Sequence, residues 1–136
     1  MASVTVEKEY GETKRAVLKG LRIHNASAVG KFDHKPLAIA LRDKRNIVGG
    51  IIGDTHLAWL FVQWFWVDDK HRGKGFGSTL LGAAEDEARK RGVKNVYLDT
   101  FSFQAPKFYE KLGYREFGRL DDYPAGHFRA WMTKAL

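Results

Sequence analysis

The stretch WLFVQWFWVDDKHRGKGFGSTLL, residues 59–81, decides how the chain is read. Its first nine residues are apolar at both alternating positions, with Gln63 as the one polar residue. That is the pattern of a central strand covered on both faces. Gly73, Gly75 and Gly77 then stand among basic residues at the entrance to an apolar helical repeat. Glycine weakens a helix start unless the backbone there must bend or approach something closely. A strand, a glycine-rich turn and a helix N-terminus in succession aim free N–H groups and the positive end of a helix dipole at one point. The stretch therefore predicts an anion seat suited to phosphate.

Two nucleotide motifs fail on spacing. The Walker pattern G-x-x-x-x-G-K-[ST] needs Ser or Thr after Gly-Lys, whereas Gly73 and Lys74 are followed by Gly75. The dinucleotide fingerprint G-x-G-x-x-G fails because its third glycine, Gly77, comes one residue early.

Outward from the turn, Phe76, Leu80, Ala84 and Ala88 repeat every four residues, charged residues fall mostly elsewhere, and Gly92 closes the helix. VKNVYLDTF at 93–101 reads as a strand, Pro106 opens a short helix that Gly113 ends, and strands are expected around YREFGRLDDY and HFRAWMTKA with DYPAG as their turn. Upstream, SVTVEK at 3–8 alternates and reads as a short strand. After Gly11 an amphipathic helix places Ala16, Val17, Leu21 and Ala28 on one face, with a break expected near Asn25. LAIALRD after Pro36 and IVGGIIGD form a hairpin about the polar turn at 43–46. The order is strand, helix, two or three strands, helix, strand, helix, two strands, which is a mixed α/β architecture.

The 136 residues suit a single domain, 1–136, and 44% hydrophobic with 29% charged residues is the composition of a soluble globular protein. With no cysteine, disulfides, thiolate metal sites and a thiol nucleophile are excluded. The N-terminal residues lack an apolar core of signal-peptide length and no run is long enough to span a bilayer, so a cytoplasmic location is expected. A net charge of +7 is consistent with attraction to some anion and equally with an ordinary basic surface.

R-x-x-G-x-G is filled by Arg72, Gly75 and Gly77 directly after the apolar strand; Glu85 and Ala88 supply E-x-x-A on the helix, and Ala105, Phe108, Tyr109, Lys111, Gly113 and Tyr114 fall in a later AxxFYEKLGY run. Together these resemble the GNAT superfamily of acyl-CoA-dependent N-acyltransferases over nearly the whole chain. The resemblance implies a mostly antiparallel mixed sheet with a central splayed strand and flanking helices, and acetyl-CoA as co-substrate with no metal. By resemblance the CoA pyrophosphate sits on the turn formed by Arg72, Gly73, Lys74, Gly75, Phe76, Gly77 and Ser78, while the strand splays at Trp66 and Val67 and pairs with the pantetheine amides. Gln104 and Phe108 belong to the pantetheine end, where Ser102 replaces the asparagine of many members. Lys74, Lys107 and Lys111 are candidates for the phosphate charges; for the two lysines of the short helix a solvated surface is an equal reading.

Thioester aminolysis needs a deprotonated amine, a polarised carbonyl and a proton for the departing thiolate. Tyr109 matches the family tyrosine near the CoA sulfur and is the expected general acid. A backbone N–H near Val67 is the candidate for polarising the carbonyl. The general base stays open among Gln63, Asp54, His56, Asp99, Asp121, Asp122, His127 and a water chain. The tryptophans are mostly core, with one or two available to wall an acceptor pocket, and the acidic pair at 121–122 reads as an ordinary turn slightly ahead of an amine site. A small-molecule amine is favoured as acceptor because the chain carries no added recognition domain. A protein lysine and a non-catalytic acyl-CoA sensor remain as alternatives. No nucleic-acid or membrane partner is expected, and the chain is read as a monomer or homodimer.

Overall fold

Apolar alternation on either side of the polar turn at residues 44–45 produces an antiparallel hairpin of β1 (Lys35–Asp43) and β2 (Asn46–His56). In the computed structural model, which describes residues 1–136, this hairpin opens the second of two compact units, Met1–Phe32 and Asp33–Leu136.

The first unit holds α1 (Gly11–Val29), a 19-residue helix with Glu12 in its first turn and Gly30 at its end in the left-handed region. It runs through Asn25 without the expected break. Residues 3–8 are not a strand. Alternation makes such a segment eligible for a sheet, but a strand also needs a ladder partner for its N–H and C=O groups, and the sheet gives it none.

The second unit is a six-stranded sheet in the order β1-β2-β3-β4-β6-β5, with β3 (Trp59–Val67), β4 (Asn95–Phe101), β5 (Arg115–Asp121) and β6 (Phe128–Ala135). Every neighbouring pair is antiparallel except β3 and β4, which run parallel. A parallel pair needs a crossover, and α2 (Phe76–Lys90) supplies it. Of the expected repeat along α2, Leu80, Ala84 and Ala88 are buried, joined by Leu81, on the side that packs on β1, β2 and β3, while Phe76 is half-buried. Ala84 and Ala88 leave no accessible surface, so the helix lies close on Leu37, Ile51 and Leu60. A short α3 (Pro106–Lys111) follows β4, with Pro106 in its first turn and Gly113 beyond its end at φ +92°.

One irregularity organises the sheet. In the β2–β3 ladder Ile52 pairs with Trp64 and Gly53 with Val62, so Gln63 is an extra residue in β3. Such a bulge bends its strand and increases the local twist. The β3–β4 ladder ends at this position: its last pair is Val62 with Leu98, while β3 continues to Val67 and β4 to Phe101. Gly53 makes the bulge possible, because a Cβ there would stand 2.5 Å from the Phe61 carbonyl oxygen. The expectation that β3 is covered on both faces is corrected by this geometry. Leu60 and Val62 are buried, but Trp64 and Trp66 are 64% and 52% exposed, because beyond the bulge the strand borders an open cleft.

A charged residue also lies in the core. Glu85 faces inward from α2 at 6% exposure, accepts a 2.7 Å hydrogen bond from the Tyr114 hydroxyl, and receives Lys134 Nζ at 3.0 and 3.1 Å. Burial, then the bond to Glu85, raises the Tyr114 pKa strongly, so the phenol stays a donor. This cluster ties α2 to β6 and to the residue just past α3. Deleting Glu85 strands the buried Tyr114 hydroxyl and the half-buried Lys134 ammonium, so Glu85→Ala is expected to cost about 3 kcal/mol in urea unfolding, the low end for a broken ion pair because Lys134 can reach solvent, against about 1.5 kcal/mol for Tyr114→Phe, which removes one charge-assisted bond. A Glu85→Ala penalty smaller than that of Tyr114→Phe would contradict the cluster's role.

Candidate active site

The parted strands β3 and β4, the turn at 72–75 and the starts of α2 and α3 enclose a cleft of about 1120 Å³. That lies slightly above the roughly 300–1,000 Å³ of small-ligand sites. All of its lining belongs to the second unit.

The glycine turn serves the cleft in two different ways. Gly73 and Gly75 take φ of +73° and +83°, which let the chain reverse from the 3-10 turn Asp69–His71 into α2. Gly77 has ordinary backbone, but a Cβ there would lie 3.2 Å from the Phe108 ring, so its glycine lets α2 approach α3. No side chain caps α2. The first N–H groups of any helix lack intrahelical acceptors, and here Phe76, Gly77 and Ser78, which carry them, line the cleft.

Arg72 has a structural task as well. Its Nε donates to the Val67 carbonyl at 2.9 Å and its Nη1 lies 3.1 Å from Asp69, folding the turn back onto the end of β3. His71, which the sequence reading passed over, is clamped on both ring nitrogens. Nδ1 donates to the Asp68 carboxylate and Nε2 to Asp43 at 3.2 Å, which joins the loop to the β1–β2 hairpin. The i, i+3 spacing of Asp68 and His71 signals such a cap, but Asp43 is 28 residues away and no local pattern announces it.

Of the residues expected to bind cofactor, Trp66, Val67, Arg72, Gly73, Gly75, Phe76, Gly77 and Ser78 line the cleft, as do Gln104 and Phe108. Lys74 lies in the turn but does not line it, and Lys107 and Lys111 sit on α3 outside the lining. Gln104 Oε1 accepts from the Phe101 N–H at 2.9 Å, bracing the β4–α3 turn. Ser102 accepts from the Phe128 N–H and its hydroxyl shares a 2.9 Å hydrogen bond with His127 Nδ1, tying the end of β4 to the start of β6.

Tyr109 lies on the cleft wall at 8% exposure, edge-on to Phe65, Phe108 and Tyr114. Burial, reinforced by the charge of Asp99, pushes its pKa up to about 12. The phenol is therefore neutral at working pH and can donate a hydrogen bond but cannot act as a base.

Of the candidate bases, Gln63 and Asp99 line the cleft; Asp54, His56, Asp121, Asp122 and His127 do not. Asp99 is engaged by a residue the sequence reading missed: Arg129 donates to Asp99 Oδ1 through Nε at 2.8 Å and Nη2 at 2.7 Å, and to the Tyr123 hydroxyl at 3.0 Å. The Arg129 guanidinium sits among the rings of Phe101, Tyr123 and Trp131. Asp99 and Arg129 are 30 residues apart and meet only because β4 and β6 are paired.

The clamp at His71 has a pH signature. The hydrogen bond to Asp68, outweighing desolvation and aided by Asp43, raises His71 above 6.5, and the same bond holds Asp68 below 3.8. The histidine's contribution to stability is complete below its unfolded pKa and lost as pH rises through the raised folded value; the aspartate's is present above its unfolded pKa and lost as pH falls through the lowered one. An NMR titration is expected to give His71 a midpoint above 6.5 that falls back in Asp68→Asn. A wild-type midpoint at or below 6.5 would contradict the clamp.

Comparison with known proteins agrees with this geometry. The profile of the Acetyltransferase (GNAT) family matches residues 6–114. A curated acetyltransferase of Agrobacterium fabrum is 36% identical over 124 residues, covering 90% of each chain. The blasticidin-S acetyltransferase of Streptomyces morookaense is 40% identical over 110 residues, covering 77% of this chain and 81% of its own. A crystal structure of an acetyltransferase from Bacillus cereus superposes with a TM-score of 0.88 at 31% identity over 98% of both chains. The chain belongs to the GNAT acetyltransferase family and is an acyl-CoA-dependent acetyltransferase.

Proposed function

We propose that residues 1–136 act as one N-acetyltransferase domain that transfers the acetyl group of acetyl-CoA directly to a primary amine of a small molecule. The observation that carries this reading is a single cleft that joins the uncapped start of α2 to the Tyr109 phenol between two parted strands. Helix N–H groups at 76–78 suit a pyrophosphate, with Arg72 and the bends at Gly73 and Gly75 shaping their approach. The edges of β3 and β4 beyond Val62 and Leu98, which share no ladder, suit an extended ligand bearing amides. Lys74 and Lys111, outside the lining, are assigned to the more distant phosphates at the cleft mouth.

Acetyl-CoA supplies the thioester. The acceptor nitrogen forms the new C–N bond as the C–S bond breaks, the amine gives up a proton, and the sulfur gains one. Tyr109 donates to the departing sulfur. Because its pKa of about 12 lies above the roughly 8.5 of a thiol, the phenol holds the developing thiolate by a hydrogen bond rather than surrendering its proton for long. Asp99 is the one carboxylate lining the cleft, and Arg129 already occupies it. The amine therefore loses its proton to water, and the rate follows the fraction of acceptor that is unprotonated.

A small-molecule acceptor is supported by the 40%-identical relative named for blasticidin S and by the aromatic wall of Trp64, Phe101 and Phe103. Release of CoA thiol, measured over a panel of nucleoside, aminoglycoside, streptothricin-type and simple amines beside lysine peptides, is expected to single out a small molecule. Turnover on peptides alone would overturn the assignment. With that acceptor, kcat/KM is expected to climb with pH to the acceptor's own amine pKa. Tyr109→Phe is expected to lower kcat roughly 10- to 100-fold while KM for acetyl-CoA stays within about twofold; an unchanged kcat removes the donor role.

A further inference from the structure

Away from the cleft, the start of β1 and the end of β2 bring two imidazoles and a carboxylate together. The ladder pairs Lys35 with Thr55 and Pro36 with Asp54. One step before the first of these pairs His34 faces His56, and the alternation of an antiparallel sheet puts both on the same side as Asp54. The side chains meet there. His34 Nδ1 and His56 Nδ1 each donate to the same oxygen, Asp54 Oδ2, at 2.8 Å, and the two rings lie with centroids 4.2 Å apart and planes tilted by 30°. The ligand-capable atoms of the three residues lie within 4.8 Å of one another. His56 and Asp54 are mostly enclosed, with side chains 22% and 27% exposed, and His34 closes over them at 57%.

We propose that His34, Asp54 and His56 form a binding site for a divalent first-row transition cation such as Zn²⁺, Co²⁺ or Ni²⁺. Imidazole nitrogen with one carboxylate oxygen is the donor set these ions favour, whereas Mg²⁺ and Ca²⁺ favour oxygen alone. Bonds of about 2.0–2.2 Å to nitrogen and oxygen in a tetrahedral shell place neighbouring ligand atoms about 3.3 Å apart. The present 2.8 Å contacts of both rings to Asp54 open by about half an ångström, and any ligand atoms farther apart, none by more than 4.8 Å, close in, to reach that arrangement through small side-chain rotations. The cation replaces the N–H protons that now bridge the rings to Asp54, and water completes its shell from the open side.

None of the three residues lines the acetyl-transfer cleft, so the site is separate from catalysis and pins the segment before β1 to the end of β2. The expectation of no metal is what the family resemblance implies for the reaction, and the absence of cysteine excludes thiolate sites alone; neither bears on an imidazole–carboxylate site outside the cleft.

The test titrates the full chain, stripped with chelator, with Co²⁺ by visible absorption, then displaces it with Zn²⁺. One equivalent is expected to bind with d–d bands of a nitrogen–oxygen shell, Mg²⁺ is expected not to compete, and added Zn²⁺ is expected to raise the melting temperature. His34→Ala and Asp54→Asn are each expected to weaken binding roughly tenfold or more, while His24→Ala, a histidine of α1, leaves it unchanged. His34 is exposed enough that its variant keeps the fold, and circular dichroism verifies this. No saturable Co²⁺ or Zn²⁺ binding up to millimolar concentration overturns the proposal, as does undiminished binding in both ligand variants.

Discussion

The extra residue Gln63 in β3 is the constraint on which the rest of the second unit depends. With Gln63 bulged out and Gly53 opposite it bare of a Cβ, β3 bends at the point where its ladder with β4 stops. Two strands that share four register pairs then part within the same sheet. Each keeps its other neighbour, β2 for β3 and β6 for β4, so the gap is held open by ladders on both sides rather than by loops. This gives a rigid slot with main-chain edges in the middle of the fold. The chain leaving β3 passes through the short 3-10 turn into the glycine turn, and the chain leaving β4 passes through a four-residue turn into α3 with Tyr109, so both arrive at the mouth of the slot.

The slot is useful only if the helices at its mouth stay in place, and two polar clusters hold them. Glu85, Tyr114 and Lys134 anchor the middle of α2 to β6 and to the chain that follows α3. His71, held between Asp68 and Asp43, anchors the loop that feeds α2 to the β1–β2 hairpin. Gly77 sets the distance between α2 and Phe108. The uncapped N–H groups at 76–78 therefore have fixed positions before any ligand arrives, which is the preorganisation that anion recognition and catalysis both exploit.

Sequence periodicity reported well on whatever is local. The helix at 76–90, the hairpin about residues 44–45, the short helix opened by Pro106 and the terminal strand pair all stand close to where their patterns put them. It reported poorly on partnership. SVTVEK alternates like a strand, yet no edge takes it up. WLFVQWFWV is apolar on both faces for two separate reasons, burial at Leu60 and Val62 and a cleft wall at Trp64 and Trp66, and hydropathy cannot tell them apart. The glycine turn between β3 and α2 was legible as a turn because glycine spacing is a backbone signal. Arg129 on Asp99, Asp43 on His71 and the His34–Asp54–His56 group were not, because each joins positions at least 20 residues apart through strand or loop registry.

The central claim is that acetyl-CoA lies in the slot opened by the bulge, with its pyrophosphate on the start of α2. Hydrogen–deuterium exchange with and without acetyl-CoA tests it most directly, because the proposed contacts are backbone N–H groups. The account predicts that ligand slows exchange at residues 66–67 and 72–78 while β1 and β5, at the two edges of the sheet, keep their rates. Saturation by acetyl-CoA with no added protection at 72–78, or with protection confined to residues outside the slot, would contradict it.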